Sequence, residues 1–466
     1  MRRPAPAGPG RPRHWPIGPG LALALLAVSG LRLAGAADLL DVYRLAQAND
    51  PTYESARYTL EALQQKLPQA RAGLLPVLAA NGNDGRTRAD TTFSNTPILG
   101  RDVRTWNWTL QLTQPLLRVQ NVFAYGEAQS LVEQATAQFA QAEQDLVLRV
   151  GQAYFDVVVA EDGIAVADAQ VRAMGEQLAI AKRGFETGTT SITDVHEAKS
   201  RVDLARSQRV TALNELEVKR SELEKVVGLL PERLSVLRPS VVAPKPEPDD
   251  PQAWIAQAKE NNPAVRAQRA ALAAAESTVN KNRAEHLPTV DFTASYGGNY
   301  ASGSLSTPLD YTTQAKSKAV GIQLNVPIFS GGATNAKVAE AIATRYKTQA
   351  DLEVARRQAG SDARQAFAGI ANGLAQIEAL DSAVVSGQSA VKGNQVGYQL
   401  GIRINIDVLN AEQQLYTSQR DLTKARYDTL FQGLKLKAAA GVLSEADLVA
   451  INGLLGARPL EAKAGK

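Results

Sequence analysis

Two periodicities divide this chain. In short stretches apolar and polar residues alternate: Trp106, Trp108, Leu110 and Leu112 against Asn107, Thr109 and Gln111; Val290, Phe292, Ala294 and Tyr296 against Asp291, Thr293 and Ser295; Val320, Ile322, Leu324 and Val326 against Gly321, Gln323 and Asn325. Period two with one apolar face predicts β-strands. A fourth stretch, near 77–93, alternates less regularly. Elsewhere the period is helical. Val408, Ala411, Leu415, Ser418, Leu422 and Ala425 follow a +3/+4 stripe, and so do Val195, Ala198, Val202, Ala205, Arg209 and Ala212. Small and large residues alternating along such a stripe suit knobs-into-holes packing. No proline interrupts the 115 residues between Pro115 and Pro231, or the 131 between Pro327 and Pro459. Proline breaks helix interiors, so both runs are open to very long helices. One over about 120–185 would reach roughly 100 Å at 1.5 Å per residue.

The pattern occurs twice. Pro51 and Pro263, Leu75-Pro76 and Leu287-Pro288, and Pro115 and Pro327 are each 212 positions apart; Gly188 and Gly401, Asp194 and Asp407, and Gly228 and Gly441 are 213 apart. Anchors at one offset signal an internal duplication. Each half is expected to hold a first helix (39–73 and 252–285) closed by Leu-Pro, two strands (near 77–115 and 289–327) and a long helical hairpin. The organisation is then 37–230 for the first repeat, 231–251 for a Pro-rich linker, 252–441 for the second repeat and 442–466 for a C-terminal segment and tail. Each hairpin reverses through an aromatic, a glycine and then Asp-Val: Phe185, Gly188 and Asp194-Val195 in Gly184–Val195, and Tyr398, Gly401 and Asp407-Val408 in Gly397–Asn410. Glycine supplies the left-handed turn cheaply. Thr193 and Asn405 stand where short polar side chains can cap the returning helix.

Composition changes the picture in three ways. Residues 1–36 carry five arginines, no acid, the eight-residue apolar run Leu21–Val28 and Ala34-Gly35-Ala36, a secretory leader with a small-x-small cleavage site. Without it the formal charge of +4 becomes about −1, so the basic balance is no argument for nucleic acid. There is no cysteine, so an exported chain must rely on packing or assembly. No segment after the leader has 18 consecutive apolar residues; if the chain enters a membrane it does so as a β-barrel. Four strands cannot close such a barrel alone. Two copies would give eight strands and a filled interior, three would give twelve and a lumen. The fold class expected is therefore mainly α with a small β part: duplicated long-helix hairpins forming an α-helical barrel, with strands shared among chains.

The Asn-Pro near the repeat start, strands ending Gln114-Pro115-Leu116 and Val326-Pro327-Ile328-Phe329-Ser330-Gly331-Gly332, and a tip reading Gly397-Tyr398-x-x-Gly401-x-Arg403-x-x-x-Asp407-Val408-Leu409 resemble the TolC family of outer-membrane efflux and type I secretion proteins over nearly the whole mature chain. The resemblance implies a homotrimer with a twelve-stranded outer-membrane barrel in contact with lipid and a periplasmic helical tunnel. It also implies partners: a periplasmic adaptor and an inner-membrane ABC, RND or MFS transporter. Asp407 would line the periplasmic entrance as a ring of carboxylates; Asn410 stands where the family often has a second acid. Tyr398 with Asp194, and Arg403 with Thr193, would bridge the tips when the entrance is shut. The plainer readings are a helix-dipole carboxylate for Asp407, a packing aromatic for Tyr398 and a solvated charge for Arg403.

Enzymatic chemistry finds no foothold. His14, His196 and His286 sit in unrelated contexts without cysteine. No nucleophile elbow, Walker or dinucleotide fingerprint occurs, and Ser330-Gly331-Gly332 lacks the lysine of a phosphate loop. No cofactor is expected, and no metal. The alternative is a periplasmic coiled-coil adaptor or scaffold, which would normally show one hairpin flanked by compact β modules.

Overall fold

The computed structural model describes residues 36–238, 241 and 244–456. The expected leader lies outside them except for Ala36, as does the tail beyond 456. The chain opens with three short helices, α1 (Leu39–Asn49), α2 (Pro51–Gln64) and α3 (Lys66–Ala72), followed by strands β1 (Val77–Phe93) and β2 (Thr96–Leu117). β2 passes almost directly into α4 (Val119–Glu186), and α5 (Ile192–Val227) returns beside it. A two-residue strand, β3 (Val236–Leu237), precedes the second repeat: α6 (Pro251–Asn261), α7 (Pro263–Ala284), β4 (Thr289–Ala301), β5 (Thr313–Asn325), α8 (Ala333–Gln399) and α9 (Asn405–Ala439). Last come α10 (Glu445–Asn452) and β6 (Leu455–Gly456), which pairs with β3. α4 and α8 hold 68 and 67 residues, each about 100 Å long.

The first helix of each repeat is not continuous as expected over 39–73 and 252–285. It breaks at Asp50-Pro51 and at Asn262-Pro263. Proline at the first helical position lacks the N–H that would continue the preceding helix, and the residue before it is pushed to extended backbone. Asp50 and Asn262 then act as N-caps, accepting from Thr52 N and Ala264 N at 2.9 Å each. Both are also tied to a long element: Asp50 pairs with Arg149 of α4, and Asn262 donates to Ala439 O of α9 at 2.9 Å.

The four long strands form one antiparallel sheet, β1-β2-β4-β5. The least regular stretch by sequence pairs with β2 along its whole length, apart from one irregularity between Ala89 and Thr91. Its two-residue turn uses Ser94 and Asn95 at φ 44° and 72°, the left-handed pair that matches strand twist. Register puts Leu78, Leu112, Ala294 and Val320 in one row, and the residues between them on the opposite face are Asn, Thr, Ser, Gln and Gly in the main. One face thus suits hydrocarbon and the other water. Within the chain β1 and β5 each keep one unpaired edge. At the foot of the sheet Arg118, between β2 and α4, grips Asp291 of β4 through two hydrogen bonds of 2.8 and 2.6 Å.

The main core lies halfway along α4. Leu146, Val150, Tyr154, Phe155 and Val158 are packed by α1, by Leu430 and Leu434 of α9, and by Leu448 and Leu455 of the C-terminal segment. The Tyr154 hydroxyl donates to Ser235 O at 2.7 Å, and Tyr427 accepts from Leu237 N at 2.8 Å, so part of the Pro-rich linker is pinned to this core. Farther along the α4–α5 hairpin the stripe expected through Arg209 is interrupted by charge for a visible reason: Arg209 reaches Asp168 across the pair. Arg220–Glu161 and Lys219–Asp156, both at 3.1 Å, continue that ladder.

Repeat-related glycines end the helices, and they separate two costs. Gly188 is at φ +75° with open space around a would-be Cβ; Gly441 is at φ +73° and its Cβ would lie 2.3 Å from Asn261 O. Gly188→Ala should cost only the left-handed backbone, about 1 kcal/mol. Gly441→Ala adds a clash with backbone and should cost about 3 kcal/mol or more. Thermal denaturation of the two variants should rank them in that order.

Candidate functional site at the hairpin tips

Both tips stand about 100 Å from the sheet, at the far ends of α4 and α8. They are built alike, bond by bond. In the first, Thr189 N and Thr190 N donate to Gly184 O at 2.8 and 3.3 Å; in the second, Ile402 N and Arg403 N donate to Gly397 O at 2.8 and 3.1 Å. Gly188 and Gly401 supply the left-handed step, at φ 75° and 71°. Gly184 and Gly397 are needed for a different reason: a Cβ there would come within 2.7 Å of Thr190 Cγ2 and 2.8 Å of Arg403 Cγ.

The caps differ from expectation. In the first tip Ser191, not Thr193, is the N-cap: its hydroxyl accepts from Thr193 N at 2.9 Å, and Asp194 returns a bond from Ser191 N at 3.0 Å. This is a capping box. In the second tip Ile404 occupies the cap without a side-chain bond. Asn405 does not cap either; it is 1% exposed, facing the hairpin interior. Its carboxamide is buried with neither polar atom hydrogen-bonded.

Asp407 lies in the first turn of α9, where the helix dipole favours a carboxylate. Arg403 Nη1 is 3.7 Å from Asp407 Oδ2. Within one chain Arg403 turns to Asp407, and the backbone N–H of Thr193 goes to Ser191. Tyr398, half-buried in the last turn of α8, has its hydroxyl pushed up in pKa by burial and further by the Asp194 charge on α5. Asn410 accepts from Arg201 Nη2 at 2.8 Å, while Arg201 Nη1 donates to Gln413 at 2.5 Å. Arg201 joins α5 to α9 and was not singled out by sequence.

Behind the tips Met174, Ala181, Ala198, Val202, Ala205 and Leu409 form a small core. A buried polar layer, also unsuspected from sequence, lies against it: Gln177 is 5% exposed and Glu412 4%. Glu412 accepts from Gln395 Nε2 at 3.2 Å. Burial pushes its carboxyl above the ordinary glutamate range and Glu176 adds to this, against the opposing pull of the Gln395 and Gln177 amides. Between the ordinary value and the raised one, the folded chain holds more protons than the unfolded chain, so stability falls as pH rises across that window. Glu412→Gln removes the titration. Its melting temperature should change less than the wild type's from mildly acidic to neutral pH, and at neutral pH should lie a few degrees higher. Parallel curves for the two proteins would exclude Glu412 as the source.

Among the described residues there is no group of three or more His, Cys, Asp or Glu that could hold a metal, and no helix is long and apolar enough to cross a membrane. What the tips offer is physical: charge and a few polar contacts.

The chain is 36% identical to the alkaline protease secretion protein AprF of Pseudomonas aeruginosa, covering 91% of this chain and 89% of that one. It is 32% identical to the proteases secretion protein PrtF of Dickeya chrysanthemi over 96% of each. It is 31% identical to the outer membrane protein TolC of Escherichia coli, over 92% and 87%. Among solved structures, the outer membrane protein VceC of Vibrio cholerae superposes with a TM-score of 0.73 at 20% identity, covering 86% of this chain and 96% of that one. The Campylobacter jejuni CmeC outer membrane channel gives 0.75 at 15% identity, with 89% of each covered. The family described as outer membrane efflux protein matches residues 42–229 and again 254–442, one match to each repeat. With both hairpins and both strand pairs inside those matches, the chain belongs to the outer membrane efflux protein family, the TolC family, and resides in the outer membrane with a large periplasmic part.

Proposed function

We propose that three copies of this chain form a continuous exit duct, in which a twelve-stranded barrel crosses the outer membrane and the long hairpins enclose a periplasmic tunnel. The observation that carries this reading is the four-stranded sheet with one apolar face and two unpaired edges, whose strand β2 passes almost directly into α4 and whose strand β5 leads through Val326–Gly332 into α8, each helix about 100 Å long. Unpaired backbone cannot face lipid, so the edges pair between copies, and twelve strands leave room for a lumen. The duct serves type I secretion of protein substrates. That cargo is favoured by AprF and PrtF, relatives named for protease secretion and matched over nine-tenths of this chain. Drug efflux through the same duct is the second use, in keeping with the family's name. Operation requires a periplasmic adaptor and an inner-membrane transporter, of the ABC type for protein cargo, docking at the tips. The chain is itself a member of the outer membrane efflux protein family, both repeats matching it, and not a periplasmic adaptor.

The tips are the gate. Tyr398 with Asp194 holds neighbouring hairpins, and Arg403 exchanges between Asp407 in its own chain and Thr193 when the entrance is shut. Such contacts contribute about 0.5–1.5 kcal/mol each, weak enough to break on docking and multiplied by threefold symmetry. Asp407 lines the entrance as one ring of three carboxylates, while Asn410, bound by Arg201, adds no second ring.

Purified protein should insert into planar bilayers and conduct ions as a trimer; a monomer without conductance under conditions that keep its fold would refute the duct. Tyr398→Phe with Arg403→Ser should raise single-channel conductance and the uptake of bulky antibiotics. Asp407→Asn should lower cation preference without enlarging the pore. Wild-type conductance in the double variant, with assembly and insertion intact, would leave the duct standing and remove the gate.

A further inference from the structure

The apolar face of the sheet does not stay apolar to its far end. On β2 it runs Leu112, Leu110, Trp108, Trp106 and then changes to Arg104 and Asp102. On β1 Leu78 and Ala80 give way to Asp84, Arg86 and Arg88; on β5 Ile322 and Val320 give way to Lys318 and Lys316. Register keeps all of these on one face: Asp84 is opposite Trp106, Arg86 opposite Arg104, and Lys318 opposite Tyr296. Side chains agree, because Lys318 Nζ sits 5.5 Å over the Tyr296 ring and Trp106 stacks on Tyr300 at 5.9 Å. The order along the face is hydrocarbon, aromatic girdle, cation. Strand tilt in a closed barrel staggers registered rows in height, which brings the early switch on β5 toward the later switches on β1 and β2.

The charges do not cancel. Arg86, Arg88, Arg104, Lys316 and Lys318 face Asp84 and Asp102, a surplus of three cations per chain. The two acids are each occupied by a bidentate arginine: Arg86 on Asp102 at 2.6 Å twice, and Arg104 on Asp84 at 3.1 and 2.7 Å. The other acids at this end turn to backbone N–H groups, Asp90 to Gly100 and Asp310 to Ser304. That surplus is carried by Arg88, across from Asp102, and by Lys316 and Lys318, which stand in the register rows of Trp108 and Tyr296, on the lipid side of the wall.

We propose that this belt binds a phosphorylated glycolipid of the outer leaflet, an acylated disaccharide carrying phosphates, with its chains on the apolar strip and its phosphates on Arg88, Lys316 and Lys318. The proposal rests on the exit-duct reading for one point only, that the sheet's far end faces outward because the helices are periplasmic. A zwitterionic phospholipid would leave the surplus unanswered. A free anion would not need the girdle and strip beneath.

The test is native mass spectrometry of the full-length protein in detergent, with bis-phosphorylated lipid A, dephosphorylated lipid A and inorganic phosphate as separate additions. Wild type should retain the bis-phosphorylated lipid preferentially. Arg88→Gln/Lys316→Gln/Lys318→Gln should lose most of it, about fivefold per cation removed. Arg88→Lys/Lys316→Arg/Lys318→Arg, which keeps charge, should retain it. Equal retention by wild type and the glutamine variant would overturn the proposal. So would equal retention of dephosphorylated lipid, or bound inorganic phosphate that displaces the lipid. The same spectra report the number of chains in the assembly, so a failure of the trimer is read separately from a failure of lipid binding.

Discussion

A strand edge exposed to hydrocarbon leaves a row of N–H and C=O groups with nothing to bond, each at a cost of several kcal/mol. This chain ends its sheet in two such edges, on β1 and β5. Much else follows from that one constraint. The edges can be satisfied only by other copies, so the membrane-spanning unit belongs to the assembly and the protomer contributes an arc. An arc has an inside and an outside, and the alternation on each strand sorts polar residues from apolar ones accordingly. Because the same chains continue into α4 and α8, the symmetry imposed at the sheet is passed to the helices.

Duplication meets the second requirement, a wall that curves evenly. The two tips share hydrogen bonds, glycine positions and distances to within a few tenths of an ångström. Where they differ, they differ in chemistry and not in backbone. Ser191 and Asp194 close a capping box in the first, while Ile404, Asn405 and Asp407 leave the second uncapped with a buried, unbonded carboxamide close by. The less satisfied tip also carries Tyr398 and Arg403.

Much of this was legible in the sequence because it is periodic. Three of the four long strands, both long hairpins, the 212–213 offset and the left-handed glycines follow from spacing that physics constrains tightly. The break at Asp50-Pro51 and Asn262-Pro263 was written there too, since proline after an Asx residue starts a helix as readily as it ends one. What spacing does not hold is the partner of a long polar side chain. Arg403 turning to Asp407, Arg201 bonding Asn410, and Glu412 lying between Gln395 and Gln177 depend on how separate helices are rotated and offset. The heptad stripe determines that rotation only to within a residue. β1 was obscured because most of its side chains are small or polar, and pairing with β2 decides its conformation.

The core around Tyr154 lies near the middle of α4, and the tip at Glu186 is 32 residues farther on, roughly 48 Å at 1.5 Å per residue. A rigid rod pivoting at that core turns small angles into large displacements. A tilt of about 5° moves the tip by about 4 Å, more than the length of a hydrogen bond. In the gate proposed above, an aperture at the tips would therefore open while side chains at the pivot barely leave their rotamers. The work of opening would fall on the contacts at the rod's end, where the lever arm is longest and the force needed is least.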